Sequence, residues 1–465
     1  MAHPVHLVDE ADSVPIASID DLVAHFRGAE KPRAAWRVGT EHELCGVRER
    51  GPAAGTAPAY DGPDGIGAVL AGFAARGWTP VEEGGHVIAL TRGQAQVTIE
   101  PGGQLELAAR PVSHSCDLVG DLRDYVATLA EISRPLGLAW LAIGFRPFGT
   151  RADVPWMPKQ RYDVMRAYMP TVGSRGLDMM LRTATVQTNL DWSDEDDAGA
   201  KLRCLMSVTP ILTALWAASP IVDGQVAGFQ SYRAHVWRDT DNARAGLLRF
   251  AFEDGGVYRR YVEWALDVPM YFVHRGGYRP VRDLTFRRFL AEGWEGARAT
   301  RADWALHLST LFPEARMKTY MEVRGCDCGS MAMTAALAPL CHGLLYDDTA
   351  RAAATALTAG LDWDERQRLA DLVPRAGLAT PVGSTTLGAL ARELVAIARD
   401  GLGRTLPGVR PLLAPVAEIA ESGRTQADQI IERWTAHAGD VPAQIRALAH
   451  PGLHAEAGDL ALAGC

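Results

Sequence analysis

Glu41 and Glu43 stand two apart in the run Trp36-Arg-Val-Gly-Thr-Glu-His-Glu-Leu-Cys-Gly-Val. The run reads as a strand. Strand side chains alternate between faces, so both carboxylates project to one side and His42 to the other. Two carboxylates about 7 Å apart on one face repel unless something cationic sits between them, and a divalent metal is the obvious cation. A solvated outer sheet face is the plain alternative. The segment Thr98-Ile-Glu100-Pro-Gly-Gly-Gln104-Leu-Glu106-Leu carries the pattern again. Gln104 and Glu106 share a face, and the Pro-Gly-Gly turn brings Glu100 near the start of the next strand. Same-face carboxylates on two separate strand pairs are harder to assign to solvated surface. Mg2+ prefers oxygen ligands and often binds together with nucleotide phosphates, so such a set on a sheet suits phosphoryl transfer from ATP.

Two further runs add cations. Arg316-Met-Lys-Thr-Tyr-Met-Glu322-Val-Arg324 reads as one strand whose polar face carries Arg316, Lys318, Tyr320, Glu322 and Arg324. That face suits a metal through Glu322 and phosphate or carboxylate groups through the cations; a salt-bridge ladder on an exposed strand is the alternative. In Gln230-Ser-Tyr-Arg233-Ala-His-Val-Trp237, a helix would make Arg233 and Trp237 neighbours one turn apart. An arginine backed by an aromatic plane is a good carboxylate clamp, though also an ordinary surface motif. The sequence has no GxxxxGK[ST] loop, kinase catalytic set, GxSxG, Rossmann glycine fingerprint or HExxH. An ATP enzyme here would hold phosphate through metals and arginines rather than through a glycine-rich cradle.

The elements that must position these groups alternate along the chain. Ser18–Phe26 begins a lead-in helix, and residues 50–63 form a Gly/Pro/Ala-rich loop. Helices are expected at 66–77, 117–136, 159–168 and 194–218. Strands are expected at 86–90, 96–100, 104–108, 138–145, 183–190, 268–273 and 316–324. From about 331 the chain is Ala/Leu/Arg-rich and mostly helical. Strand runs far apart in sequence imply one α+β catalytic body, residues 1–350, with a helical C-terminal region, residues 351–465, packed on it.

Composition narrows the function classes. The chain has 465 residues, 48% hydrophobic and 22% charged, enough to bury a large core. A net charge of −9 argues against a general nucleic-acid binder. Lys31, Lys159, Lys201 and Lys318 are the only lysines, which reads as the mark of a GC-rich genome. Seven irregularly spaced cysteines give no disulfide framework, and the lone pair Cys326-Asp-Cys328 is no zinc ribbon. The N-terminal stretch lacks a charged segment followed by an apolar run, and no run of eighteen apolar residues occurs, so neither a signal peptide nor a membrane span is expected. A soluble cytoplasmic protein, monomer or homodimer, with no nucleic-acid partner is the expectation.

Seven blocks together resemble the glutamate–cysteine ligases of the plant and proteobacterial type. They are Gly39-Thr-Glu-His-Glu-Leu, Glu100-Pro-Gly-Gly-Gln-Leu-Glu-Leu, Met157-Pro-Lys-Gln-Arg-Tyr-Asp-Val-Met, Leu181-Arg-Thr-Ala-Thr-Val-Gln-Thr-Asn-Leu-Asp, Arg233-Ala-His-Val-Trp-Arg-Asp-Thr-Asp, Asp267-Val-Pro-Met-Tyr-Phe and Tyr320-Met-Glu-Val-Arg-Gly, in order from about residue 36 to 350. The resemblance implies a glutamine-synthetase-like funnel of antiparallel sheet with outer helices. It implies ATP-dependent formation of a γ-glutamyl amide through γ-glutamyl phosphate, with Mg2+, from L-glutamate and L-cysteine or another small amino acid or amine. Carried over by position, Glu41, Glu43, Glu100, Glu106 and Glu322 match the metal ligands, with Glu41, Glu43 and Arg324 at the chemistry. Arg233 and Trp237 match the glutamate clamp. Arg161 and Tyr271 match positions lining the amino-acid pockets, the run from Arg182 and Thr183 to Gln187 matches the central strand that floors the pocket, and Arg316 and Lys318 match the ATP contacts. All five glutamates are present, which weighs against a non-catalytic amino-acid or nucleotide sensor. One block departs: the family's Ala-Asp-Gly-Gly-Pro-Trp is here Cys326-Asp-Cys-Gly-Ser-Met331. Loss of a proline and an indole would reshape a nearby pocket wall, and with it the acceptor. The two thiols read as ordinary rather than as a redox switch.

Overall fold

A computed structural model describes residues 14–450. Residues 1–13 of the stretch read as lacking a signal peptide, and Cys465, lie outside the described residues. The frame is one nine-stranded sheet. Its strands are β1 (Val38–Arg48), β2 (Thr79–Glu83), β3 (His86–Arg92), β4 (Ala95–Ile99), β5 (Leu105–Ala108), β6 (Leu138–Leu141), β7 (Thr185–Leu190), β8 (Ala315–Met317) and β9 (Met321–Asp327). The order is β8-β9-β7-β1-β5-β4-β3-β2, with β6 paired to the far end of β1. Every pairing within it is antiparallel.

β1 is the axis. Its first half pairs with β7, its middle with β5 and its last residues with β6. On one face His42 and Leu44 are fully buried, against the helices Ser115–Leu136 and Met331–Leu345 that cover the sheet. Glu41 and Glu43 occupy the other face. The pleat therefore enforces the separation of apolar and acidic side chains that the sequence alternation implies.

The turns are chemically specified. Gly84 and Gly85, both at positive φ, close the β2–β3 hairpin. Between β4 and β5, Glu100 N–H donates to Gln104 C=O at 2.8 Å and Gly103, at φ 78°, donates back to Glu100 C=O at 2.9 Å. A Cβ on Gly102 would stand 2.1 Å from the Leu181 carbonyl oxygen, so only glycine lets this turn seat against the helix Gly176–Arg182. β2 is an edge strand that the sequence reading misses, because Pro80 and its polar neighbours imitate a loop.

One expected strand is corrected. Residues 316–324 form a hairpin, β8–β9, whose loop Lys318–Tyr320 carries no Gly, Pro, Asn or Asp to signal it. The outcome for chemistry is closer contact: Arg316 lies directly opposite Glu322.

Residues beyond 350 share the core of the sheet body, since one buried apolar cluster runs from Ile16 to Ala420. The helix Leu387–Thr405 lies on Met331–Leu345 at a glycine contact. A Cβ on Gly401 would meet the Gly343 carbonyl oxygen at 1.9 Å, and one on Gly343 would meet Ala398 O at 2.2 Å. Among the described residues no helix is long and apolar enough to cross a membrane. Gly401→Ala should force these helices apart and destabilise the fold by about 1–3 kcal/mol, read as a lower urea midpoint with an unchanged slope. An unchanged midpoint would show that the contact yields freely.

Candidate active site

The polar face of the sheet opens into a cavity of about 250 Å3. Register explains its acidic floor. Glu43 lies opposite Glu106 across β1–β5, and Glu106 opposite Thr98 across β5–β4. Glu41 lies opposite Gln187 on β7, and Glu100 enters from the Pro-Gly-Gly turn. Glu41, Glu43, Glu100 and Glu106 all line the cavity, as the alternation of both strand pairs implies.

These carboxylates are only thinly satisfied. Asn189 Nδ2 donates to Glu41 Oε1 at 2.9 Å, Thr185 N–H to Glu43 Oε2 at 3.0 Å, and Thr98 Oγ1 to Glu106 Oε1 at 3.4 Å. Burial, then the charge of Glu100, pushes the Glu43 carboxyl up to about 8 against the pull of Arg233. Burial also raises Glu100, opposed by Lys159 and Arg161. Glu106 is raised well above the usual range by burial and by Glu41, Glu100 and Glu43. Repulsion within the set is thus expressed in each member that shifts.

Glu322 is different. It is fully buried and does not line the cavity. Arg316 Nη2 stands 2.7 Å from its carboxylate, Lys318 Nζ 3.2 Å, and Arg324 Nη1 completes the ring. Burial pushes this carboxyl up, yet Arg316, Lys318 and Arg324 hold it well below the usual carboxylate range. The three cations themselves face the cavity. Arg316 is braced by Ser309 and Leu311 carbonyls at 3.1 and 3.0 Å, and Arg324 reaches Gln187 Oε1 at 3.2 Å.

The clamp residues sit on the helix Tyr232–Trp237, one turn apart, and both line the cavity. Arg233 is 3% exposed, and its Nη2 donates to Arg324 C=O at 2.9 Å. Arg233 Nε and Trp237 Nε1 are buried donors without a hydrogen-bond partner. Two orphan donors on one short helix facing a cavity invite an anionic acceptor.

Arg161 and Thr183 also line the cavity, Arg161 over the Phe272 ring. Two expected lining residues do not. Tyr271 is 1% exposed and stacked on Arg244, whose guanidinium lies 3.8 Å from its ring centre. Arg182 is turned to the Gly149 carbonyl at 3.0 Å and to Asp223 at 2.6 Å, with its guanidinium over Phe145. Both are consumed by structural contacts. Gln104 and Gln187 line the cavity too, while Lys159, Tyr162, Tyr278 and Phe312 line it but were not singled out for it. For Lys159 a signal existed. Of only four lysines, Lys159 and Lys318 both face this cavity. That is a placement the reading of lysine scarcity as genome composition overlooks.

The departing loop does not form a wall. Cys326 and Cys328 are fully buried, and neither lines the cavity. Cys328 Sγ lies 3.6 Å from Nε2 of His42, the residue that points away from the acidic face. Cys45, Cys204, Cys326, Cys328 and Cys341 are free buried thiols.

Residues 37–448 match the glutamate–cysteine ligase family 2 (GCS2). The chain belongs to this family. It is 41% identical over 429 residues to the chloroplastic glutamate–cysteine ligase of Brassica juncea, covering 90% of this chain and 82% of that one. It is 40% identical over 429 residues to the chloroplastic enzyme of Arabidopsis thaliana, covering 90% and 80%. The fold is similar to the crystal structure of the Francisella tularensis glutamate–cysteine ligase in complex with AMP, with TM-score 0.55 at 15% identity over 90% and 88% of the two chains. The glutamine-synthetase-like α+β architecture expected from the sequence is the one observed. The cytoplasmic expectation is corrected by the same relatives, which are chloroplastic enzymes.

Glu106→Gln keeps the shape and makes permanent the neutral form that burial and the neighbouring carboxylates favour in Glu106. The metal-free variant should be at least as stable as the parent, with an equal or higher thermal midpoint at neutral pH. A clear loss of stability would mean that the Glu106 charge is structurally required.

Proposed function

We propose that the protein is an ATP-dependent ligase that joins the γ-carboxyl group of L-glutamate to the amino group of L-cysteine. Family membership supports the reaction. The observation that carries the residue roles is the division of one cavity into an acidic floor and a cationic wall, with Arg233 and Trp237 on the same lining and each keeping one donor without a partner.

Among the described residues no three carboxylate, histidine or cysteine groups are gathered closely enough to grip a metal as they stand. The donor set nevertheless fits Mg2+: the floor offers only oxygen, and its members repel one another. Glu41, Glu43, Glu100 and Glu106 would hold the ion. Glu322 is left out of that set, because a metal would have to displace three cations from it. When bound, Mg2+ supplies charge neutralisation on the transferring phosphoryl group.

The rest is done by the chain. Arg316, Lys318 and Arg324, fixed at known spacing by Glu322, offer their remaining donors to phosphate oxygens. Arg233 Nε and Trp237 Nε1 hold a carboxylate of glutamate. The γ-carboxylate oxygen attacks the γ-phosphorus of ATP, and the bond to ADP breaks. The amine of cysteine then attacks the acyl carbon, loses a proton, and inorganic phosphate leaves. Arg324 touches both the cationic wall and the clamp, over the Trp237 ring at 5.8 Å, and so stands where charge moves between the two substrates. A different acceptor has lost its structural motive, since the altered loop faces away from the cavity.

Purified protein given Mg-ATP, glutamate and a panel of acceptors should release ADP and form γ-glutamylcysteine, identified by mass, as the dominant product. EDTA should stop turnover and excess Mg2+ restore it. Dominance of another acceptor would overturn the assignment. Arg233→Ala should raise the glutamate KM by about 10- to 100-fold with a smaller effect on the ATP KM; an unchanged glutamate KM would place the clamp elsewhere.

A further inference from the structure

Asp327 lies at the end of β9, buried to 1% exposure, and does not line the cavity. Asp327 nevertheless meets three chain segments. Oδ2 accepts from Ala218 N–H at 2.9 Å and from Ser219 Oγ at 2.6 Å, and Oδ1 accepts from Ser231 Oγ at 2.8 Å. The third segment passes so close that a Cβ on Gly144 would stand 2.6 Å from Asp327 Cβ.

Both serines hand the contact on to the clamp helix. Ser219 Oγ accepts from Arg233 N–H at 3.0 Å, and Ser231 Oγ accepts from Ala234 N–H at 3.0 Å. A hydroxyl has one proton to donate. An ionised carboxylate can only accept, so it draws both hydroxyl protons to itself and turns the serine lone pairs toward the helix. The direction of each bond in the relay is therefore set at Asp327. The same carboxylate stops 3.9 Å short of Arg233 Nη1, beyond hydrogen-bond range. It fixes the backbone that carries Arg233 without occupying the guanidinium, whose Nε remains unpartnered.

We propose that Asp327 is a positioning residue for substrate glutamate: it sets the Ser219 and Ser231 hydroxyls, these fix the start of the helix Tyr232–Trp237, and the helix aims Arg233 and Trp237 into the cavity. This rests on the reading of Arg233 and Trp237 as the glutamate clamp. It also gives a reason why Asp327 stands unchanged in a loop whose neighbours differ from the family's usual residues.

The test compares Asp327→Asn, Ser219→Ala and Arg233→Ala by steady-state kinetics with each substrate varied. In Asp327→Asn the amide cannot accept at both positions. Its NH2 cannot face Ala218 N–H, so it must face Ser231 and reverse that bond. Expected for Asp327→Asn and Ser219→Ala is a glutamate KM raised about tenfold, with kcat within about threefold and the ATP and cysteine KM values unchanged. A fall in kcat with all KM values untouched, or equal shifts in all three, would overturn the proposal and mark Asp327 as purely structural. If Asp327→Asn does not fold, Ser219→Ala decides alone by the same criterion. A raised glutamate KM in Arg233→Ala with none in the other two removes the positioning role and keeps the clamp. An unchanged glutamate KM in Arg233→Ala removes the clamp reading, and the positioning role with it.

Discussion

Repulsion among four carboxylates on one sheet face is the constraint from which the rest of the site follows. Glu43 and Glu106 are direct cross-strand partners, and like charges in that position weaken a sheet. The strands stay paired because the opposite face is buried. Leu44, Leu105 and Leu107 are at most 2% exposed, and a one-residue slip of register would turn them into the cavity and the carboxylates into the core. Hydrophobic burial behind the sheet thus holds an unfavourable gathering of carboxylates in front of it. The Pro-Gly-Gly turn is secured in the same spirit. Arg146, itself buried, donates to the Gly102 carbonyl at 3.1 Å and to Gly46 at 2.6 Å, which keeps the turn bearing Glu100 in place.

The cations are segregated rather than spread. Had Arg316, Lys318 and Arg324 been free to reach Glu41 or Glu43, they would have neutralised the floor and closed the site. Glu322 prevents this by taking a donor from each. A buried ion cluster of this kind contributes little net stability, because desolvation offsets much of its Coulomb gain. Its value is geometric: three side chains with many rotamers are held in one arrangement at the cavity wall. The hairpin β8–β9 makes this possible by folding Arg316 back opposite Glu322, which a single extended strand could not do.

Much of this was legible in the sequence, and the limits of legibility are physical. Alternation in β1 and β5 places Glu41, Glu43 and Glu106 on one face without any structural knowledge, because the strand period is fixed. The helix bearing Arg233 and Trp237 follows from spacing in the same way. Tyr271 and Arg182 are different. Each lies in a segment near the site, but whether a side chain faces the cavity or a neighbour depends on Arg244 or Asp223, which arrive from distant sequence. The fate of Glu322 was hidden by a turn without turn residues. β2 was hidden by a proline that an edge strand tolerates.

The altered loop shows why position outweighs chemistry in judging a departure from a family. Cys326-Asp-Cys-Gly-Ser-Met replaces residues that looked able to shape a substrate pocket. The bulge between Val323 and Cys326 changes which face each residue takes, so Arg324 still reaches the cavity while Cys326 is opposite Val186 in the core. Cys328 then fills space beside His42, behind the floor rather than above it. Those changes alter packing on the apolar face, where volume is the main requirement. Asp327, between the two cysteines, is tied to Ala218, Ser219 and Ser231, and any replacement there would leave buried donors without an acceptor. Within one loop, then, the two cysteines are buried away from the cavity, Cys326 opposite Val186 and Cys328 beside His42. Asp327, which survives there together with Gly329, links the sheet through Ser219 and Ser231 to the start of the helix Tyr232–Trp237.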